Sequence, residues 1–152
     1  MKVVDLNVLL YAINGRAPEH GRARAWWEAA LSGEEPIGLP WAVVVGFLRL
    51  STHRSVFDAP LTIAQALQRV DRWLSVEHLS VISETGDHWT HLRRLLESGV
   101  AGNLVNDASL AAFAMSRNAT LVSCDNDFAR FSGLRWENPL TGSEYRPVRE
   151  PP

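Results

Sequence analysis

Cysteine occurs once in this chain, at position 124, so no disulfide can form within it and no cluster of thiolates can hold zinc. With no base placed beside it in sequence, Cys124 reads as a small packing residue rather than a nucleophile. Lysine is equally scarce. Lys2 is the only one, against 14 arginines. Arginine favours forked contacts to phosphate or carboxylate, although a skewed genome produces the same bias. No apolar run reaches the roughly 18 residues of a membrane span, and the N-terminus lacks the basic flank and cleavage site of a signal peptide. A cytoplasmic protein without membrane contact is the expectation. Repeats and low-complexity segments are also missing, and the net charge is only −2. Any nucleic-acid contact must therefore come from a local patch.

The 152 residues are enough for one domain with a full core. We place it at residues 1–140, with Thr141–Pro152, which holds three prolines and no periodicity, as an irregular tail. The stretch Met1–Leu10 organises the rest. Val3 and Val4 predict a short buried strand that runs into Asp5, and Leu6, Val8, Leu9, Leu10 and Ile13 predict the helix after it. Further helices are expected from Pro18 to just before Gly33, over Trp41–Leu50, after a capping box of Thr62 and Gln65, and over Asp87–Ser98. Asn106 is expected to cap another, Asp107–Arg117. The helix over Trp41–Leu50 is apolar nearly all round and is expected to be buried. Strands are predicted at Ile37–Leu39, His78–Ser83 and Ala119–Ser123, with Leu134–Trp136 as a final edge. His88 and His91, one turn apart without a third ligand, are expected to face solvent. Strands separated by helical segments make an α/β fold with a largely parallel sheet.

Carboxylates recur at the boundaries of these elements: Asp5, Asp107, Asp125 and Asp127. In a doubly wound sheet the C-terminal ends of parallel strands share one edge, where ligands bind. Asp5, Asp107 and Asp125 can therefore converge, although Asp5 or Asn7 can equally serve only as a helix cap. Crowded carboxylates raise one another's pKa unless a cation neutralises them. Mg²⁺ or Mn²⁺ fits an all-oxygen set best.

Asp5-Leu-Asn7, Asn106-Asp-Ala-Ser-Leu-Ala-Ala112 and Ala119-Thr-Leu-Val-Ser-Cys-Asp-Asn-Asp-Phe128 resemble the motifs of PIN-domain ribonucleases. More narrowly, the chain resembles the VapC toxins of bacterial type II toxin–antitoxin pairs. Pro40–Leu50 and Phe131–Leu140 resemble one subgroup of them. The resemblance implies a PIN-like three-layer fold, with a central, mostly parallel sheet flanked by helices. It implies an endoribonuclease that hydrolyses RNA with a metal-activated water. Asp5, Asp107 and Asp125 would bind the metal, with Asp127 a nearby fourth acid. Asn7 would orient Asp5, and Ser123 would position a water, although local capping serves as well for both. Arg49, His53 and Arg54 are the first candidates for RNA phosphates, with Arg22 and Arg24 or Arg93 and Arg94 as others. A VapB-like antitoxin and a homodimer are the implied partners, with Trp26, Trp27, Val43, Val44 and Phe47 lining a groove or seam unless they are simply core. One departure stands out: Gly46 occupies a position where many PIN domains carry a glutamate. It keeps alive a degenerate PIN domain that binds without cutting. A phosphoacceptor receiver domain fits less well, because it needs a lysine late in the fold.

Overall fold

The computed structural model describes residues 1–99 and 101–145. In chain order it runs β1 (Lys2–Val4), α1 (Leu6–Ile13), α2 (His20–Ser32), β2 (Ile37–Pro40), α3 (Trp41–Ser51), α4 (Ile63–Leu74), β3 (Leu79–Ile82), α5 (His88–Glu97), α6 (Leu104–Ser116), β4 (Thr120–Val122), a 3₁₀ turn (Asn126–Arg130), β5 (Trp136–Asn138) and β6 (Ser143–Tyr145). The sheet order is β3-β2-β1-β4-β5-β6. The first five strands pair in parallel, and β6 lies antiparallel on β5. This is the expected three-layer α/β arrangement.

Alternation along the short strands separates two cores. Val4 and Val122 face one side, with Leu39, Phe47, Trp27 and Trp73. Val3 and Leu121 face the other, with the small residues of α6 (Ala108, Ala111, Ala112) and with Phe128 and Phe131. Those alanines are buried and let α6 lie close to the sheet. Of the proposed groove residues, Trp27, Val43, Val44 and Phe47 are buried, so the plain core reading holds for them. Among the described residues, no helix is long and apolar enough to cross a membrane.

Four expectations change. The helix α3 is not buried all round: Trp41 and Val45 are 57% and 58% exposed, one turn apart on its outer side. Asn106 does not cap α6. That helix starts at Leu104 after Asn103, which puts Asn106 and Asp107 inside its first turn. His88 is buried against the ring of Phe113, with centroids 4.6 Å apart, rather than facing solvent. The last strands also shift. Trp136–Asn138 is an interior strand, and Ser143–Tyr145, inside the segment expected to be irregular, supplies the edge. The hairpin turns where Gly142 takes φ 68° and donates to Asn138 O at 3.0 Å. The rest of the proposed tail, residues 146–152, lies outside the described residues.

The capping box is formed as expected. Thr62 Oγ1 accepts from Gln65 N at 3.2 Å, and Gln65 Oε1 accepts from Thr62 N at 2.9 Å. Thr62→Ala is therefore expected to cost about 1 kcal/mol of stability, read from the urea midpoint at unchanged m-value.

Candidate active site

The chain builds β1, β2 and β3 toward one side, then returns to place β4 on the other flank of β1. The switch point thus falls between β1 and β4, where an open α/β sheet leaves a crevice beyond the strand ends. Val4 pairs with Val122, so the next residues, Asp5 and Ser123, emerge side by side. Asp5 N donates to Val122 O at 2.9 Å and completes the ladder.

The Asp5 carboxylate is held from both strands. Its Oδ1 accepts from Leu6 N at 2.6 Å, which makes Asp5 the cap of α1. Its Oδ2 accepts from Asn7 Nδ2 and from Ser123 Oγ, each at 2.7 Å. Capping and site-building are therefore not alternatives here, because different oxygens do them. Asn7 also spans the crevice: Nδ2 reaches Ser123 Oγ at 3.0 Å, and Oδ1 accepts from Cys124 N at 3.0 Å. The Ser123 hydroxyl, fully buried, donates to Asp5 and accepts from Asn7 and from Asp125 N at 3.1 Å. Its one proton and two lone pairs are all in use. Ser123 orients Asp5 and the Asp125 loop, and it has no capacity left to position a water.

Asp107 reaches the same crevice from the first turn of α6. Asp5 and Asp107 line one cavity of about 330 Å³ with Leu6, Gly46, Arg49, Asn106 and Ser109. Asp125 caps the 3₁₀ turn by accepting from Asp127 N at 2.8 Å, and Asp127 accepts from Arg130 Nη2 at 2.8 Å. Electrostatics tie the acids together. Burial, reinforced by Asp107 and Asp125, pushes the Asp5 carboxyl from 3.8 up to about 6, against the lowering effect of its hydrogen bonds. Burial also raises Asp107, with Asp125 and Asp127 adding to it and Arg130 opposing. Among the described residues the Asp107 carboxylate accepts no hydrogen bond.

The arginine candidates separate. Arg49 lines the cavity, and its guanidinium pairs with no acid among the described residues. His53 and Arg54 sit on the exposed turn after α3, outside the cavity lining, with the His53 ring bonded to Ser55. Arg24 and Arg93 are taken up by Glu28 and Glu97 one turn away, and Arg22 by the carbonyl of Leu140. Arg130 was not a candidate on sequence grounds. The signal was its place three residues after Asp127. Lys2 lies at the opposite end of β1, paired with Glu137 at 2.7 Å, where it cannot serve the acids as a receiver-domain lysine would.

Gly46 has a local cause. A Cβ there would stand 2.6 Å from Leu6 Cδ2, so its absence lets α3 approach α1 beside Asp5, and a glutamate would displace Leu6. The donor set around the crevice is all oxygen, which suits a hard divalent cation. Among the described residues no three His, Cys, Asp or Glu stand close enough together to hold such an ion as they are placed.

The family model described as PIN domain matches residues 2–134. Ribonuclease VapC37 of Mycobacterium tuberculosis is 41% identical over 140 residues, which is 91% of this chain and 97% of the relative. Ribonuclease VapC33 of the same species is 39% identical over 141 residues, 92% and 99% of the two chains. Among solved structures, VapBC2 from Rickettsia felis, bound to a DNA fragment from its promoter, superposes with a TM-score of 0.65 at 24% identity. It covers 90% of this chain and 97% of its own. Mycobacterium tuberculosis VapC20, described as a sarcin-ricin loop cleaving toxin, gives 0.60 at 19% identity over 85% and 93%. These structures share the fold.

A folded-state pKa above the unfolded one means that the folded protein binds the extra proton. The stability gained is complete below about pH 4 and is lost as pH rises through about 6. Asp5→Asn removes that ionisation. Without divalent ions, wild type is expected to lose melting temperature as pH rises from 4 through 6, and the variant, whatever its absolute stability after losing matched hydrogen bonds, to show a flatter profile over that range, as followed by thermal denaturation across pH.

Proposed function

The chain belongs to the PIN domain family and, within it, to the VapC ribonucleases; from that premise we propose that it is a divalent-metal-dependent endoribonuclease, the toxin of a VapBC-like pair. One observation carries the site assignment: Asp5 and Asp107, about a hundred residues apart in sequence, share one cavity and repel each other's charge. Such an arrangement is costly alone and becomes favourable around a cation.

In this reading Asp5, Asp107 and Asp125 present the oxygens that hold Mg²⁺, or Mn²⁺ in its place. A bound divalent ion supplies activation of a water and neutralises charge on the phosphoryl oxygens. The chain's own residues do the rest. Asn7 and Ser123 fix the rotamer of Asp5, so that its carboxylate needs no reorganisation when substrate arrives. Arg49 offers a guanidinium from the α3 wall to a phosphate of the incoming strand. His53 and Arg54, on the neighbouring turn, extend that surface outward. In-line attack on a phosphodiester needs no covalent enzyme intermediate, in keeping with Cys124, whose thiol burial pushes up to about 12.

The partners follow from the same reading. RNA is the substrate, and a VapB-like antitoxin is the inhibitor, as the VapBC complexes among the structural neighbours suggest. A second copy of the chain is the third, for which exposed Trp41 and Val45 offer apolar surface.

The test is incubation of the purified chain with structured RNA in Mg²⁺, in Mn²⁺ and in EDTA. Cleavage is expected with either ion and not with EDTA. Asp107→Asn is expected to lower cleavage by at least about a hundredfold, since the ion it helps to hold is worth several kcal/mol to the transition state. Its circular dichroism should remain that of wild type. Failure of every metal to support cleavage would leave the non-cutting PIN domain as the better reading, for which Gly46 is the motive.

A further inference from the structure

Asp127 is expected as a fourth acid of the cluster, yet its Oδ1 is already occupied by Arg130 Nη2 at 2.8 Å. The pair is built into the 3₁₀ turn, where residues three apart stand above one another. The turn is also anchored to the acids, through the bond from Asp127 N to Asp125 Oδ1. As an exposed ion pair it contributes little to stability, so stability does not account for it. Its position is more telling. Through Asp127, whose amide bonds to Asp125 Oδ1, the Arg130 guanidinium is fixed to the acidic turn itself.

Charge balance gives that position a use. Ionised, Asp5, Asp107, Asp125 and Asp127 carry four negative charges, and one divalent ion cancels two of them. An anionic RNA backbone would still meet a negative crevice. Arg49 in the cavity wall and Arg130 on the turn that carries Asp127 cancel the remaining two. A guanidinium carries its donors in a planar fork, and Asp127 engages only part of it. The other donors are free to meet a phosphate.

We propose that Arg130 contacts a phosphate oxygen of the RNA backbone beside the acids, and that Asp127 is the positioning residue that aims it rather than a metal ligand. This rests on the ribonuclease reading above. It predicts that two measurable affinities, for RNA and for metal, separate cleanly between variants.

The experiment measures both on the full chain. Anisotropy of a labelled single-stranded RNA in calcium buffer, across a potassium chloride series, gives RNA affinity and its salt slope. Paramagnetic resonance titration gives Mn²⁺ affinity. Arg130→Gln is expected to weaken RNA binding roughly tenfold. It should also flatten the salt slope by about 0.7, the loss of one phosphate contact to a single strand. Arg130→Lys should restore the slope and only part of the affinity, because charge returns without the fork. Asp127→Asn should shrink the loss of RNA affinity that Arg130→Gln causes, since the guanidinium is no longer aimed, while its own Mn²⁺ affinity falls less than about tenfold. A larger loss of Mn²⁺ binding in Asp127→Asn would make Asp127 a ligand and overturn the proposal. So would an Arg130→Gln variant, folded by circular dichroism, that binds RNA with wild-type affinity and slope. A wild-type chain that neither binds nor cuts RNA in any metal would instead defeat the ribonuclease reading on which the proposal stands.

Discussion

The Asp5 carboxylate is tied down at both oxygens, and the ties come from the start of α1 and from the end of β4, which meet only in three dimensions. Leu6 N holds one oxygen, while Asn7 and Ser123 hold the other. Burial makes ionising this group expensive, and its hydrogen bonds only partly offset the cost. The geometry of the crevice depends on this balance. Without Ser123 the Asp125 backbone would lose its acceptor, and without Asn7 the Cys124 backbone would lose its own. Because each donor and acceptor in the knot is matched, a change to any member leaves a polar group unpaired in a buried place, which is costlier than the loss of one bond.

The opposite requirement is met around the knot. Asp107 stands in the first turn of α6, where the helix field favours an anion, and yet burial and its acidic neighbours still raise its carboxyl. The protein thus spends folding stability to keep negative charge in one place, as functional sites commonly do. Arginines at the two margins, Arg49 from α3 and Arg130 from the 3₁₀ turn, limit that cost without closing the cavity.

Much of this was legible in the sequence because the signals are local. A β-branched pair ending in aspartate marks a strand meeting its ligand edge, and Thr62 with Gln65 marks a helix start by chemistry alone. Where tertiary packing decides, the sequence misled. Asn106 looks like a cap, but α6 gains a turn by starting at Leu104. Trp41 and Val45 look like core, yet α3 turns them outward because Gly46 and Phe47 supply its buried side. The strand Ser-Glu-Tyr has no apolar alternation at all, and only the turn before it reveals the edge. At the site, the places of Asp5 and Asp107 at element boundaries already pointed to the one cavity that both line. That Ser123 has no free valence for water could not be read there, since it depends on partners as far as 118 positions away.

That separation has a consequence for the living cell. A ribosome that has made Asp5 must add more than a hundred further residues before Ser123 can emerge to meet it. At ordinary rates of synthesis that interval is on the order of ten seconds. Throughout it the nascent chain carries only half of its crevice, so a message cut short yields fragments that cannot assemble one. The crevice is thus a late product of synthesis, complete only after Ser123 has left the ribosome.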